Sequence, residues 1–318
     1  MEIIREAEYA KTMHETVEPA LEKLRRTEEL SLPAGGKLHL EYYEPEGAEK
    51  ALLLLHGYTE SGEKFREMIW YFIHAGFAVY APDQRGHGQS WRAIEDTSVT
   101  HVDAFSDYVD DAERVLDFMQ ARKPDRRSFL YGHSMGGAVA AFLLMRRQEA
   151  FDGAVLSSPM IAPSSGSYPA WVGTAIASVM CLAGRGNRRA FIGKPYDPEM
   201  EIFETSCDTS RARFDYYAAK RRAHRHLQNC SPTYRWVREA FGVTRPLLTP
   251  ENLAKIRTPL LLCQAGRDDV VLLPEQERFV EGLPNGRLIR FDEAKHEIYM
   301  ADDAVMRRYV DTVLDFLR

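Results

Sequence analysis

A chain of 318 residues, 45% apolar and 28% charged, has the composition of a folded globular protein and enough length for one large α/β domain or for a core with an inserted subdomain. Disordered, collagen-like and coiled-coil architectures are excluded, and a net charge of −6 argues against a general nucleic-acid binder. Cys181, Cys207, Cys230 and Cys263 lie far apart without a Cys-x-x-Cys pair, so they read as reduced thiols and not as a disulfide framework or zinc site. No metal, cofactor or protein partner is implied. The opening Met1-Glu2-Ile3-Ile4-Arg5-Glu6-Ala7-Glu8 lacks the apolar run of a signal peptide, and no apolar run approaches the roughly 20 residues that span a bilayer, so a soluble cytoplasmic protein is expected. The charge is uneven along the chain. From Met160 to Pro250 there are 13 Lys/Arg and 7 Asp/Glu, a local +6 that leaves −12 for the rest.

Residues 1–28 read as an acidic helical appendage, interrupted near Pro19 and packed on the domain. Next comes a turn at Ala34-Gly35-Gly36. Beyond it Leu38, Leu40 and Tyr42 alternate with Lys37, His39 and Glu41, the period of a half-buried strand in an edge hairpin. The run Ala51-Leu52-Leu53-Leu54-Leu55 suits a strand covered on both faces; it ends in His56-Gly57-Tyr58-Thr59, ahead of a helix from about Phe65 to Ala75. Phe77 to Ala81 is a second buried strand, followed by the polar loop Pro82 to Ser90 and an amphipathic helix over Phe105 to Ala121. A strand over Ser128 to Tyr131, a helix from Ala138 and a strand over Gly153 to Ser157 continue the alternation, which predicts a mostly parallel sheet with helices on both faces.

The rhythm breaks after Ser158-Pro159. Residues 160–250 have no comparable strand, while Trp171 to Leu182, Arg211 to Leu227 and Thr233 to Phe241 look helical. The expected organisation is a core over 1–159 and 251–318 with a helical lid over 160–250. The second part of the core has a strand at Leu260 to Ala265, a helix at Pro274 to Val280, a strand at Arg287 to Phe291 and a closing helix from Ala301.

The chemistry centres on Gly132-His133-Ser134-Met135-Gly136, a Gly-x-Ser-x-Gly turn between a strand and a helix. Such a turn raises a serine hydroxyl at a strand end, and the Met135 N–H is one donor for a developing oxyanion. The hydroxyl needs a base, and the base needs a carboxylate. His296 follows the last strand and Asp268-Asp269 follow the strand before it, giving the chain order Ser, Asp, His. Aligning on Asp268-x-Val270-Val271 selects Asp268 as the acid, whereas counting from Gly266 selects Asp269; we take Asp268. The second oxyanion donor is assigned to the Tyr58 N–H, with Gly57 as the alternative. Arg85, His87 and Ser90 are read as loop braces and His133 as a packing residue.

With these residues in place the chain resembles the α/β-hydrolase superfamily, and most of all its branch of bacterial lysophospholipases and monoacylglycerol lipases. The resemblance rests on His56-Gly57-Tyr58-Thr59-Glu60-Ser61, Asp83-x-Arg85-Gly86-His87-Gly88-x-Ser90, Gly132 to Gly137, Ser158-Pro159-Met160 and Lys295-His296-Glu297. Residues 101–111 and 232–239 resemble the lysophospholipase side in particular. Leu272-Leu273 stand where relatives often have an acidic residue. The resemblance implies an α/β-hydrolase fold with an inserted helical lid, and a serine hydrolase that cleaves a fatty-acyl ester of a lysophospholipid or monoacylglycerol through an acyl-Ser134 intermediate. Trp171, Ile176 and Met180, with Val172, Val179 and Leu182, are candidate acyl-chain contacts in the lid; packing of the lid on the core is the competing role. Arg211, Arg213, Lys220, Arg221, Arg222, Arg225, Arg235 and Arg238 would suit a phosphate headgroup or an anionic membrane surface, or simply face water. Two other functions compete: hydrolysis of small soluble esters or peptide N-termini, and ligand binding without catalysis.

Overall fold

The computed structural model describes residues 1–33, 35–166 and 169–318. Its strands are β1 (Arg25–Ser31), β2 (Lys37–Tyr43), β3 (Lys50–Leu55), β4 (Phe77–Pro82), β5 (Val99–Thr100), β6 (Arg127–His133), β7 (Gly153–Ser157), β8 (Ser231–Pro232), β9 (Leu260–Ala265) and β10 (Gly286–Phe291). Eight of them form one sheet in the order β1-β2-β4-β3-β6-β7-β9-β10, and β5 pairs with β8 in a separate two-stranded ladder. The β1–β2 and β2–β4 pairs are antiparallel and all others in the large sheet are parallel. This is the mostly parallel sheet that the alternation of apolar runs with helical periods predicts, in the layout that the resemblance to the α/β-hydrolases implies.

Continuous apolar runs serve here because both faces of the sheet are covered. Leu53 and Leu55 enter one core layer, with helices Ser106–Arg122, Met135–Arg146 and Leu273–Glu281. Leu52 and Leu54 enter the other, with helices Arg66–His74 and Asp303–Phe316. The β2 alternation misleads in this respect. His39 and Glu41 were expected in water, but both are buried: the His39 imidazole has Glu29 on one nitrogen and Gln89 on the other, and the Arg25 and Arg66 guanidinium groups sit on Glu41.

The N-terminal segment packs Ile3, Ile4, Tyr9, Met13, Val17 and Leu21 into the second layer. It widens to a π-helix over Met13–Val17, just before Pro19. A proline in a regular α-helix clashes with the carbonyl four residues back, and the wider turn, in which the Glu18 N–H donates to the Met13 carbonyl, relieves that clash. The expected turn residue Ala34 lies outside the described residues. Gly36 has φ +88°, and a Cβ there would meet the Trp91 ring at 2.3 Å, so only glycine fits.

Between β7 and β9 the chain forms helices Ala170–Leu182, Arg211–Ala223 and Tyr234–Gly242 with short helical turns among them. Several cations of this segment pair with carboxylates, most of these outside it. Arg213, with no exposed side-chain surface, makes two 2.9 Å bonds to Glu67 and also donates to the Ile4 and Ala301 carbonyls, tying the N-terminus, the inserted segment and the core together. Lys220 pairs with Glu18 and Glu63, Arg189 with Asp96 and Arg221 with Glu201. Arg213→Ala leaves the Glu67 carboxylate buried without its cation, so urea unfolding should show a loss of about 3–5 kcal/mol. The same measurement on Arg211→Ala, at an exposed ion pair, should change by less than about 1 kcal/mol.

Candidate active site

Parallel strands place their C-terminal ends along one edge of a sheet, and ligand sites in open α/β sheets lie outside that edge. The loops after β3, β6, β9 and β10 therefore converge here. Ser134, between β6 and helix Met135–Arg146, has φ 51° and ψ −117°, a conformation that costs a non-glycine residue about 1–3 kcal/mol. The turn is braced: the Ser134 N–H donates to the Ser157 carbonyl at 3.0 Å, and its own carbonyl accepts from Met160 N–H at 2.8 Å. The flanking glycines are required by close approach. A Cβ at Gly136 would lie 2.2 Å from the Leu55 carbonyl oxygen, and one at Gly132 would lie 2.6 Å from that of Gly136.

His296 Nε2 lies 2.8 Å from Ser134 Oγ, and His296 Nδ1 lies 2.7 Å from Asp268 Oδ2. A carboxylate only accepts, so Nδ1 carries the proton and Nε2 presents its lone pair to the serine hydroxyl. Asp268 Oδ1 accepts from the Val270 and Val271 N–H groups at 2.9 and 3.2 Å. Those bonds orient Asp268, while Asp269 is exposed. Burial works against a charged His296, but the bond to Asp268 and its charge outweigh it, so the imidazole pKa is raised above 6.5.

The turn after β3 lies against the elbow, since a Cβ on Gly57 would stand 3.1 Å from Ser134 Cβ. Gly57 N–H is occupied, donating to Glu60 Oε2 at 2.6 Å. Neither Tyr58 N–H nor Met135 N–H makes a hydrogen bond among the described residues, which leaves these two as free donors in the turn after β3 and at the elbow. His56 braces the turn. Its Nε2 accepts from the Gln84 N–H at 2.9 Å, and its Nδ1–H donates to the Gly57 carbonyl at 2.8 Å. Burial lowers its pKa and keeps it in that neutral form.

Beside His296 lies a buried polar cluster to which the sequence reading gave no role. Lys64 Nζ sits 2.6 Å from Glu297 and 3.2 Å from Glu60, and Tyr299 donates to Glu60. His133, with Nδ1 against the Ser157 carbonyl at 3.1 Å, packs its ring between those of His296 and Tyr299. Glu60, His133 and Glu297 present ligand atoms within 4.8 Å of one another, and the cation that neutralises them is the Lys64 ammonium. Burial opposes that charge, but Glu297 and Glu60 hold its pKa well above the usual value. Asp208, from the inserted segment, is buried nearby, and burial and the charge of Glu297 push its pKa well up. The only signals for this cluster were Glu60 and Lys64, four residues apart, and Glu297 directly after His296.

Other assigned residues fall elsewhere. Arg85 makes a two-pronged ion pair with Asp111 at 2.6 and 2.7 Å, and Ser90 Oγ accepts from the His39 N–H, so both brace loops. Trp171 and Ile176 are 71% and 38% exposed and Met180 is half-buried, on a helix whose Ala177 is its buried contact.

Residues 46–303 match the model of the serine aminopeptidase, S33 family. The chain belongs to this family of α/β-hydrolases. It is 29% identical to a probable lysophospholipase L2 of Haemophilus influenzae over 275 residues, 86% of each chain. It is 36% identical to the human monoglyceride lipase over 128 residues, 40% of this chain and 41% of that one. In structure it is similar to a thermostable carboxyl esterase from Bacillus coagulans, at a TM-score of 0.75 and 18% identity over 92% of this chain and 97% of that one. This α/β-hydrolase thus falls in the branch of the lysophospholipases and monoglyceride lipases.

Ester hydrolysis by this site should lose activity as pH falls through the raised His296 pKa, so the acid limb of kcat/KM should lie above pH 6.5. Asp268→Asn should lower kcat by about 10⁴-fold by favouring the wrong tautomer. Asp269→Asn should stay within about 3-fold, and pH-rate profiles of all three proteins check both expectations.

Proposed function

We propose that the chain is a serine carboxylic-ester hydrolase that cleaves one fatty-acyl ester of a lysophospholipid or monoacylglycerol. The observation that carries this is the unbroken Ser134–His296–Asp268 hydrogen-bond chain beside two free backbone donors. Ser134 Oγ attacks the ester carbonyl as His296 Nε2 takes its proton, and the Tyr58 and Met135 N–H groups receive the oxyanion. Collapse releases the alcohol, protonated by His296, and leaves acyl-Ser134. Water then attacks the acyl-enzyme with His296 again as base, freeing the fatty acid. The lipid class of the substrate is supported by the names of the lysophospholipase and monoglyceride lipase relatives.

Segment 160–250 acts as a lid with a fixed and a lipid-facing part in this reading. Helix Ala170–Leu182 contains no charged residue, yet it leaves Trp171, Ile176, Val179 and Leu182 exposed, followed by exposed Phe191 and Ile192. Arg185 and Arg188, at the end of that helix, form no salt bridge among the described residues. An uncharged apolar face flanked by free cations suits the surface of an anionic bilayer or micelle, where Trp171, Ile176 and Met180 would meet the acyl chain. No described helix is long and apolar enough to cross a membrane, so the contact would be peripheral.

A fluorophosphonate probe should label wild-type protein and not Ser134→Ala, which should lose at least about 10⁴-fold in kcat. Rates on p-nitrophenyl esters should rise with acyl length, and a panel of lysophospholipids and monoacylglycerols should rank the headgroups. Absence of labelling would favour a ligand-binding protein, and a preference for acetyl esters or for peptide N-termini would favour the small-substrate reading. Separately, Trp171→Ser with Leu182→Ser should reduce sedimentation with phosphatidylglycerol vesicles at least 5-fold, as expected for loss of about 1 kcal/mol or more of apolar contact.

A further inference from the structure

The two stretches most specific to the lysophospholipase side, residues 101–111 and 232–239, take no part in the proton relay, yet they meet in space. Thr100 of β5 pairs with Pro232 of β8, and the Thr233 N–H donates to the Thr100 carbonyl at 3.0 Å. Thr233 then caps helix Tyr234–Gly242, its hydroxyl accepting from Trp236 N–H at 3.2 Å and contacting His101 Nδ1 at 3.0 Å. Further along the helix, Glu239 accepts from Phe105 N–H at 3.1 Å. These bonds fix the helix on the core and aim the Trp236 side chain, which is 8% exposed, at the turn after β3. Its ring lies over that of Tyr58, with centroids 4.1 Å apart and planes at 33°.

The turn needs such support. Thr59, directly after Tyr58, has φ 65°, a left-handed conformation that a β-branched residue holds only when its surroundings impose it. From the core side, Glu60 takes the Gly57 N–H and His56 holds the Gly57 carbonyl. From the inserted segment, the Trp236 ring packs on the turn. We infer that Trp236 is a positioning residue for the oxyanion site, holding the Tyr58 peptide so that its N–H faces the oxygen that develops beside Ser134. This rests on the hydrolase reading above and adds that helix Tyr234–Gly242 acts on the chemical step as well as roofing the site.

Removing an oxyanion donor costs about 10²–10³ in rate, and a displacement of about 1 Å costs about 10². Loosening the turn without deleting the donor should therefore fall between about 10- and 100-fold. The experiment uses p-nitrophenyl butyrate, a soluble ester that makes the exposed lid face irrelevant, with full-length Trp236→Ala, Trp236→Leu and Trp236→Phe and with Tyr58→Ala alone and combined with Trp236→Ala. Trp236→Ala and Trp236→Leu should lose about 10- to 100-fold in kcat with KM moved less than about 3-fold, whereas Trp236→Phe, which keeps a ring over Tyr58, should stay within about 3-fold. Affinity for a short alkyl trifluoromethyl ketone, whose adduct carries the oxyanion, should fall by the same factor as kcat/KM. In the Tyr58→Ala background Trp236→Ala should add less than about 2-fold, because the ring it presses on is gone. Should Trp236→Ala fail to fold, the Leu and Phe variants decide. Wild-type kcat in the Leu variant, an effect confined to KM, or independent multiplication of the two losses overturns the inference while labelling of Ser134 leaves the hydrolase reading intact. A wild-type protein that neither turns over ester nor labels at Ser134 overturns both.

Discussion

An imidazole that accepts from Ser134 at one nitrogen must donate from the other, and Asp268 is the acceptor that makes this arrangement stable. Much of the core serves that one constraint. The parallel sheet brings the ends of β3, β6, β9 and β10 to a single edge, so residues 162 positions apart, Ser134 and His296, stand 2.8 Å from each other. The glycines around Ser134 allow its strained turn to press against the Leu55 carbonyl, and the Val270 and Val271 N–H groups keep the Asp268 carboxylate aimed at the imidazole.

Electrostatics reinforce this placement at short range and at long range. Near the site, Lys64 neutralises Glu60 and Glu297, which belong to the turn after β3 and to the histidine loop, so one ammonium ties together the two loops that flank Ser134. Two unscreened carboxylates so close to His296 would otherwise repel one another in a low-dielectric setting. On the scale of the whole chain, the basic inserted segment and the acidic remainder meet in ion pairs at Arg213, Lys220 and Arg189. Part of the charge asymmetry of the sequence is thus complementarity within the molecule. Arg185 and Arg188, without a salt bridge among the described residues, adjoin the exposed apolar residues at the end of helix Ala170–Leu182, while the Arg211–Ala223 helix is anchored through Arg213. One half of the insertion is built to stay and the other presents an apolar face to its surroundings.

Local chemistry made the framework readable. Runs such as Ala51 to Leu55 signal a strand covered on both faces, Gly-x-Ser-x-Gly between a strand and a helix signals a raised hydroxyl, and an acidic turn and a histidine after successive later strands signal its partners. Each depends on residues near one another in the chain, where propensity and side-chain period act. Boundaries were less legible: the appendage expected over residues 1–28 ends its helix at Leu24 and enters β1 at Arg25, and the two-residue strands β5 and β8 had no signal of their own.

The order of apolar runs, the elbow and the chain order Ser, Asp, His were determined by the sequence alone, because they are consequences of backbone preference and burial period. Tertiary structure alone decided that Asp268 and not Asp269 reaches His296, since adjacent residues on a tight turn point apart and only the fold says which faces the imidazole. It likewise decided that Gly57 N–H is spent on Glu60, that Lys64 and Asp208 from distant segments enclose Glu297, and that Trp236 rests on Tyr58. Such pairings join residues tens to hundreds of positions apart, and the distance between them is set by the sheet and not by the chain.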